Sequence, residues 1–462
     1  MNRQASRPAV SPARRAAFDI LWRVATEAAY AAPLVAALPQ TNLSNEDRRL
    51  AQELALGVLR WQSALDYFIE RYSGRPLKKL DAAVLLALRL GLYQLRFLSR
   101  VPAAAAVNES VNLVKRARAA SAAPMVNAVL RRAARQLDEQ PGASLNEPLE
   151  RFAVETSHPR WLIEKWIAAF GEAETRRLAL ANNQPPPVAF RVNTVRVAAD
   201  EVMARLEHAG LRLRPSPVAP GALVVEDGPA AILAQAAESG EVYIQDEASQ
   251  LVSLLLNPAS GERILDLCAA PGSKSSHLAA LAGASGWVMA CDIHPHRLAT
   301  LAVTCKRLGI ESVAPVALDA TRELPLLDGA PPFDRALIDA PCSGTGTLRR
   351  NPEIKWRLMA EDIARLAEVQ LSLLRRATSA LKRGGRLVYS TCSMEREENE
   401  AVIHRFLESG FQSQFRVVAP TALAELITRE GFVRTFPHHG GADGFFAAVL
   451  ERAGEDESRD TR

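Results

Sequence analysis

Cysteine is scarce in this chain: five thiols among 462 residues, at positions 268, 291, 305, 342 and 392. No two form a CxxC pair and none joins a Cys/His cluster, which excludes a disulfide framework and a zinc site, so no metal is expected. They read as reduced thiols in a cytoplasmic protein. Long apolar runs are missing as well. No stretch of about 18 apolar residues occurs, and the basic opening MNRQASRPAVSPARR lacks the apolar segment of a signal peptide. Neither secretion nor a membrane span is expected, and no internal repeat is visible.

Net charge is also small, at +4. Its distribution says more than its total. Residues 1–140 hold 21 Lys/Arg against 11 Asp/Glu, a net +10, and the remainder carries −6. A basic module of that kind suits phosphate backbones, although solvated helix faces would look alike. The length suggests roughly three domains at about 150 residues each.

Residues 11–140 repeat apolar positions at helical spacing, with Ala17, Ile20, Leu21, Val24 and then Val84, Leu85, Leu88, Leu92, Leu95. Stops and starts are legible at Asn45 before Glu46-Asp47, at Gly74-Arg75-Pro76 and at Val101-Pro102. An all-α bundle of about six helices is expected over 1–140. Its candidate phosphate contacts are Arg14, Arg15, Lys115, Arg116, Arg118, Arg131, Arg132 and Arg135.

Residues 141–160 have linker composition, and a small α+β module is expected over 161–237. In it, Arg191-Val192-Asn193-Thr194 could touch nucleic acid or simply end a strand. From 238 to 452 short apolar strands alternate with helices, the pattern of a doubly wound, Rossmann-like α/β domain. The acidic end, 453–462, reads as a disordered tail.

The first strand of that domain opens into Cys268-Ala269-Ala270-Pro271-Gly272-Ser273-Lys274. This small-residue turn lets a ligand approach the backbone but is not GxGxxG, so a dinucleotide is disfavoured. Asp292, Asp319 and Asp339 end later strands. Acidic strand ends without a phosphate loop fit S-adenosylmethionine, whose ribose offers hydroxyls and whose methionine part carries an ammonium.

Two thiols stand apart from the rest. Cys342 lies in Asp-Ala-Pro-Cys-Ser-Gly-Thr-Gly, 339–346, and Cys392 in Tyr-Ser-Thr-Cys-Ser, 389–393. Both follow apolar strands and sit among small polar residues, where backbone dipoles can stabilise a thiolate. From position alone either could be a nucleophile.

These two stretches, with Leu-Asp-Leu-Cys-Ala-Ala-Pro-Gly-Ser-Lys, Arg191-Val192-Asn193-Thr194 and the closing Phe436-Pro437 through Asp443-Gly444-Phe445-Phe446, resemble the RNA 5-methylcytosine methyltransferases. The helical first third resembles the NusB-like RNA-binding module that precedes the enzyme in the bacterial small-subunit ribosomal RNA methyltransferase B group. Ser273 stands where that family commonly has glycine. The resemblance implies that Cys392 attacks carbon 6 of cytosine, that Cys342 assists release, and that Asp339 and Lys274 contact or polarise the base. It also implies cofactor contacts at Cys268 through Lys274, Asp292, Asp319 and Asp339, and a monomer acting on small-subunit ribosomal RNA, naked or in early assembly. Transfer RNA or another ribosomal site is an alternative substrate. A non-catalytic NusB-like antitermination protein is the alternative of another class.

Overall fold

The computed structural model describes residues 10–324 and 332–454. Most of the expected tail, from residue 455 on, lies outside them. The chain forms two compact units. One holds the chain up to Pro185 together with Leu348–Leu358, the other Pro186–Thr347 together with the chain from Met359.

The first unit is helical. Its longer early helices are Pro12–Thr26, Asn45–Arg60, Gln62–Ser73, Ala82–Phe97, Ala103–Arg116 and Ala123–Ala133. Ser44 caps the second of these by accepting from the Asp47 amide at 3.1 Å. Gly74 ends the third at φ +65°, a conformation open to glycine. Helix Ala82–Phe97 runs through the middle of the bundle, burying Val84, Leu86, Leu88, Leu90 and Leu92. Burying each such side chain contributes roughly 1.5–3 kcal/mol. The stretch 141–160, expected as a linker, instead carries helix Pro148–Thr156. Pro148 presets its first turn, and the Glu147 carboxylate accepts from the amides of Leu149 and Glu150. Helices Arg160–Phe170 and Glu172–Asn182 follow.

Segment Leu348–Leu358 docks within this unit. Arg60 donates to Arg349 O at 2.7 Å, and the Glu353 carboxylate accepts from the Ala31 amide. Lys355 Nζ, fully buried, donates to Arg60 O at 2.8 Å and to Asn183 Oδ1 at 3.0 Å. Trp356 Nε1 reaches Leu59 O at 2.7 Å, and Arg357 reaches Val24 O and Ala29 O.

The second unit contains two sheets. Strands β1 (Val188–Val192), β2 (Arg212–Pro215), β3 (Ala222–Asp227) and β4 (Val242–Ile244) form an antiparallel sheet in the order β2-β3-β1-β4. Its last strand lies beyond the boundary expected at 237. Then come β5 (Arg263–Asp266), β6 (Trp287–Asp292), β7 (Val313–Ala317), β8 (Phe333–Asp339), β9 (Leu381–Thr391), β10 (Phe415–Val417), β11 (Val433–Thr435) and β12 (Phe445–Arg452). They order as β10-β12-β9-β8-β5-β6-β7, with β11 beside β12. Strands β5 to β9 pair in parallel, and β12 runs antiparallel to β9.

Alternation along these strands builds a core on each face. Ile264, Leu337 and Val388 pack against Leu251, Leu278 and Leu301 on one side. Leu265, Ile338 and Tyr389 pack against Leu371, Leu374 and Phe406 on the other. Strand order reverses between β5 and β8, and ligands of open α/β sheets bind at the carboxyl ends beside such a switch. Among the described residues no helix is long and apolar enough to cross a membrane.

Candidate active site

Strand β5 stops at Asp266 and the chain turns through 267–272 into helix Ser273–Ala282. Gly272 takes φ +103°, and a Cβ there would stand 2.8 Å from Leu301 Cγ, so only glycine fits the turn. The Ala269 amide donates to Cys291 O at 2.8 Å and ties the turn to β6. Asp292 accepts from the amides of Ala270 and His294 and lies 3.4 Å from Arg297. Asp319 accepts from the Thr321 hydroxyl and amide, which hold its carboxyl below the usual range.

Of these residues Ala270, Asp292, His294, Arg297, Asp319 and Thr321 wall a cavity of about 340 Å³ with Ile293, Leu318, Val369 and Leu373, and with Cys268, Asp339, Cys342 and Cys392. Apolar walls suit a purine ring and carboxylates suit ribose hydroxyls, so the donor set fits an adenosyl cofactor. Of the positions expected to bind it, Cys268, Ala270, Asp292, Asp319 and Asp339 line this cavity.

At one end of the cavity the parallel pairing of β8 and β9 sets Asp339 opposite Ser390. Lys274 Nζ donates to Asp339 Oδ2 at 2.6 Å, and Ser390 Oγ donates to Oδ1 at 2.8 Å. Cys342 Sγ and Cys392 Sγ lie 3.4 Å apart. The neighbouring Cys392 sulfur, burial and the charge of Glu398 all push the Cys342 thiol well up. Burial lifts Cys268, Cys291 and Cys305 similarly; Cys291 and Cys305 lie in the core, whereas Cys268 lines the cavity.

Three residues beside these groups were not singled out in the sequence. Asp266 is a fourth acidic strand end, fully buried, with Oδ2 accepting from Ser275 and Oδ1 unpartnered. Ser390 anchors Asp339. Glu398 disappeared into the acidic run after Cys392, in which it and Glu395 are buried and Glu397 is exposed. A signal for Asp266 did exist, since it ends its strand as Asp292 and Asp339 end theirs.

Of the two readings of the 191–194 run, the structural one holds for its first residues. Arg191 is buried, donates to Ser276 Oγ at 2.9 Å and to Gln245 Oε1 at 3.2 Å, and has its pKa lowered to about 10 by burial. Asn193 Nδ2 donates to Gly240 O and Leu308 O, both at 2.8 Å. Among the basic candidates, Arg14 is engaged with Gln94 and Ser11, whereas Arg15, Lys115, Arg118, Arg131, Arg132 and Arg135 are exposed.

Comparison with known proteins gives three family matches. Residues 253–451 match the family described as 16S rRNA methyltransferase RsmB/F, residues 11–135 the NusB family, and residues 158–231 the RsmF/B-like ferredoxin-like domain. The probable ribosomal RNA small subunit methyltransferase B of Bacillus subtilis is 36% identical over 445 residues, covering 96% of this chain and 99% of its own. The crystal structure of PH0851 superposes with a TM-score of 0.81 at 28% identity, over 96% of this chain and 100% of that one. A methyltransferase homolog protein from Pyrococcus horikoshii gives a TM-score of 0.58 at 28% identity, over 66% of this chain and 99% of that one.

Proposed function

The chain belongs to the ribosomal RNA small subunit methyltransferase B family, and from that premise we propose that it methylates carbon 5 of a cytosine in small-subunit ribosomal RNA through a cysteine–cytosine adduct. The observation that carries this reading is the pair of thiols 3.4 Å apart beside the Lys274–Asp339 pair, at the strand ends that wall the cavity. S-adenosylmethionine, held by the turn 268–274 with Asp292 and Asp319, supplies the electrophilic methyl group when bound.

Carbon 5 of cytosine is too electron-poor to attack a methyl sulfonium. Addition of the Cys392 thiolate at carbon 6 makes it nucleophilic. Asp339 accepts from the exocyclic amine, and Lys274, 2.6 Å from Asp339, supplies the proton that neutralises ring nitrogen 3. Release requires transfer of the carbon 5 proton to water, return of the nitrogen 3 proton to the Lys274 amine and departure of the sulfur. Cys342 meets that step as S–H, facing the sulfur that must leave, and can protonate it. The target base has to leave its stack to enter.

A cysteine hydrolase would set an imidazole on its thiol, but the partner of Cys342 is another thiol. A purely RNA-binding protein has no use for the pair. Replacing Cys392 by alanine should abolish methyl transfer while leaving cofactor affinity unchanged, and Cys342→Ala should accumulate an RNA adduct visible as a shift on a denaturing gel. Turnover by the Cys392→Ala protein rejects the mechanism; loss of adduct in Cys342→Ala means the roles are exchanged.

A further inference from the structure

Each thiol is followed by a serine, Cys342-Ser343 and Cys392-Ser393, and both serines turn to one buried carboxylate. Glu398 has 0% exposure. Its Oε1 accepts from the Ser343 amide at 2.8 Å and from Gln370 Nε2 at 3.1 Å. Its Oε2 accepts from Ser393 Oγ and Ser343 Oγ, and those two hydroxyls lie 3.0 Å from each other. Gln370 Nε2 also donates to Pro341 O at 2.9 Å, the residue before Cys342.

A carboxylate taken out of water costs several kcal/mol unless its lone pairs are filled. Here all four donors are N–H or O–H groups, drawn from both thiol turns and from Gln370 of helix Ala360–Ala380. Oε2 alone takes a hydroxyl from each turn, so this one carboxylate ties the two turns together. The turns are also joined by backbone amides, the Gly346 amide donating to Cys392 O at 2.9 Å and the Met394 amide to Thr345 Oγ1 at 2.9 Å.

We propose that Glu398 is a positioning residue that holds Cys342 and Cys392 in register, so that both sulfurs serve the same cytosine in succession. This rests on the reading of the two thiols given above. A reaction that uses one sulfur to attack and the other to release tolerates little drift between them, since constellations of this kind work within about 0.5 Å.

The test compares Glu398→Ala, Glu398→Gln and the double variant Ser343→Ala/Ser393→Ala in the full chain, with Cys392→Ala as control. Glu398→Ala is expected to lower kcat about 100-fold, the scale of a misplacement near 1 Å, with KM for S-adenosylmethionine unchanged. Glu398→Gln keeps one acceptor oxygen, and the hydroxyls can turn to accept from its amide, so it recovers part of the loss. The double serine variant leaves the carboxylate its two N–H donors and lowers kcat in the same sense, which decides the matter if Glu398→Ala fails to fold. Wild-type kcat in Glu398→Ala, or in the serine pair where Glu398→Ala does not fold, overturns the proposal. So does a fall in kcat matched by lost cofactor affinity. Activity in Cys392→Ala would reject the reading of the thiols; inactivity there beside normal Glu398 variants rejects only the positioning role.

Discussion

Lys274 and Asp339 form a part-buried ion pair in which the second carboxylate oxygen is already committed to Ser390. Burial works to lower the Lys274 pKa, but the charge and hydrogen bond of Asp339 outweigh it and the net shift is upward. The ammonium therefore stays charged through the neutral range. Lys274→Met leaves a carboxylate in a largely closed site and should cost roughly 3 kcal/mol, the low end for a broken buried pair, because the Asp339 side chain keeps 28% exposure. Adding Asp339→Asn should recover part of that stability in urea unfolding and none of the methyl transfer. Turnover in the single variant would make the pair a fastening of the fold rather than part of the chemistry.

Asp266 sets a pH dependence of its own. Burial, reinforced by the charge of Asp339, raises its pKa from 3.8 to about 7, against the pull of Ser275 and Lys274. The folded state thus holds the proton more tightly than the unfolded chain does. Its contribution is fully present below the unfolded value near 3.8 and is lost as pH rises through about 7. Asp266→Asn, which still accepts from Ser275, should therefore gain in Tm relative to the wild type between pH 5 and pH 8. An unchanged difference across that interval would mean that Asp266 does not titrate there.

The exposed arginines of helix Ala123–Ala133 and its continuation offer a charge test of RNA binding. Substituting Arg131, Arg132 and Arg135 by glutamine should flatten the slope of log affinity against log salt by about 0.7–0.9 for each phosphate left unneutralised. A slope that stays put would remove the helical unit from phosphate binding. Deleting residues 1–140 is a poorer experiment. It takes Leu59, Arg60 and Val24 away from Trp356, Lys355 and Arg357, so any loss of activity would mix charge with the disturbance of a docked segment.

The strand–turn–helix at 263–282 and the two thiol turns were legible because each is local: apolar runs ending in small and acidic residues. Both thiols follow strand ends, and the parallel pairing of β8 and β9 brings their sulfurs to 3.4 Å. What stayed hidden depends on residues far apart in the chain. In Glu395, Glu397 and Glu398 nothing local tells that the first and last are buried, and Glu398 accepts from the Ser343 amide 55 positions away. The helix inside 141–160 was masked by Pro148, whose composition signal reads as a break although its position at the first turn makes it a start. Both readings of Arg191 stayed open because a sequence does not show that its guanidinium lies buried over Tyr243. Short strands β10 and β11 carry too few residues for their alternation to stand out.

Segment Leu348–Leu358 has a consequence for the order in which the protein is made. The helical unit is the first to leave the ribosome, but its buried Lys355 arrives only after the intervening 186–347 has been synthesised. At about 5–20 residues per second that is a delay of roughly 10–30 s. Until then Arg60 O and Asn183 Oδ1 lack the ammonium they finally accept from. A gene fragment ending at Pro185 would stop the unit in that unfinished state for good.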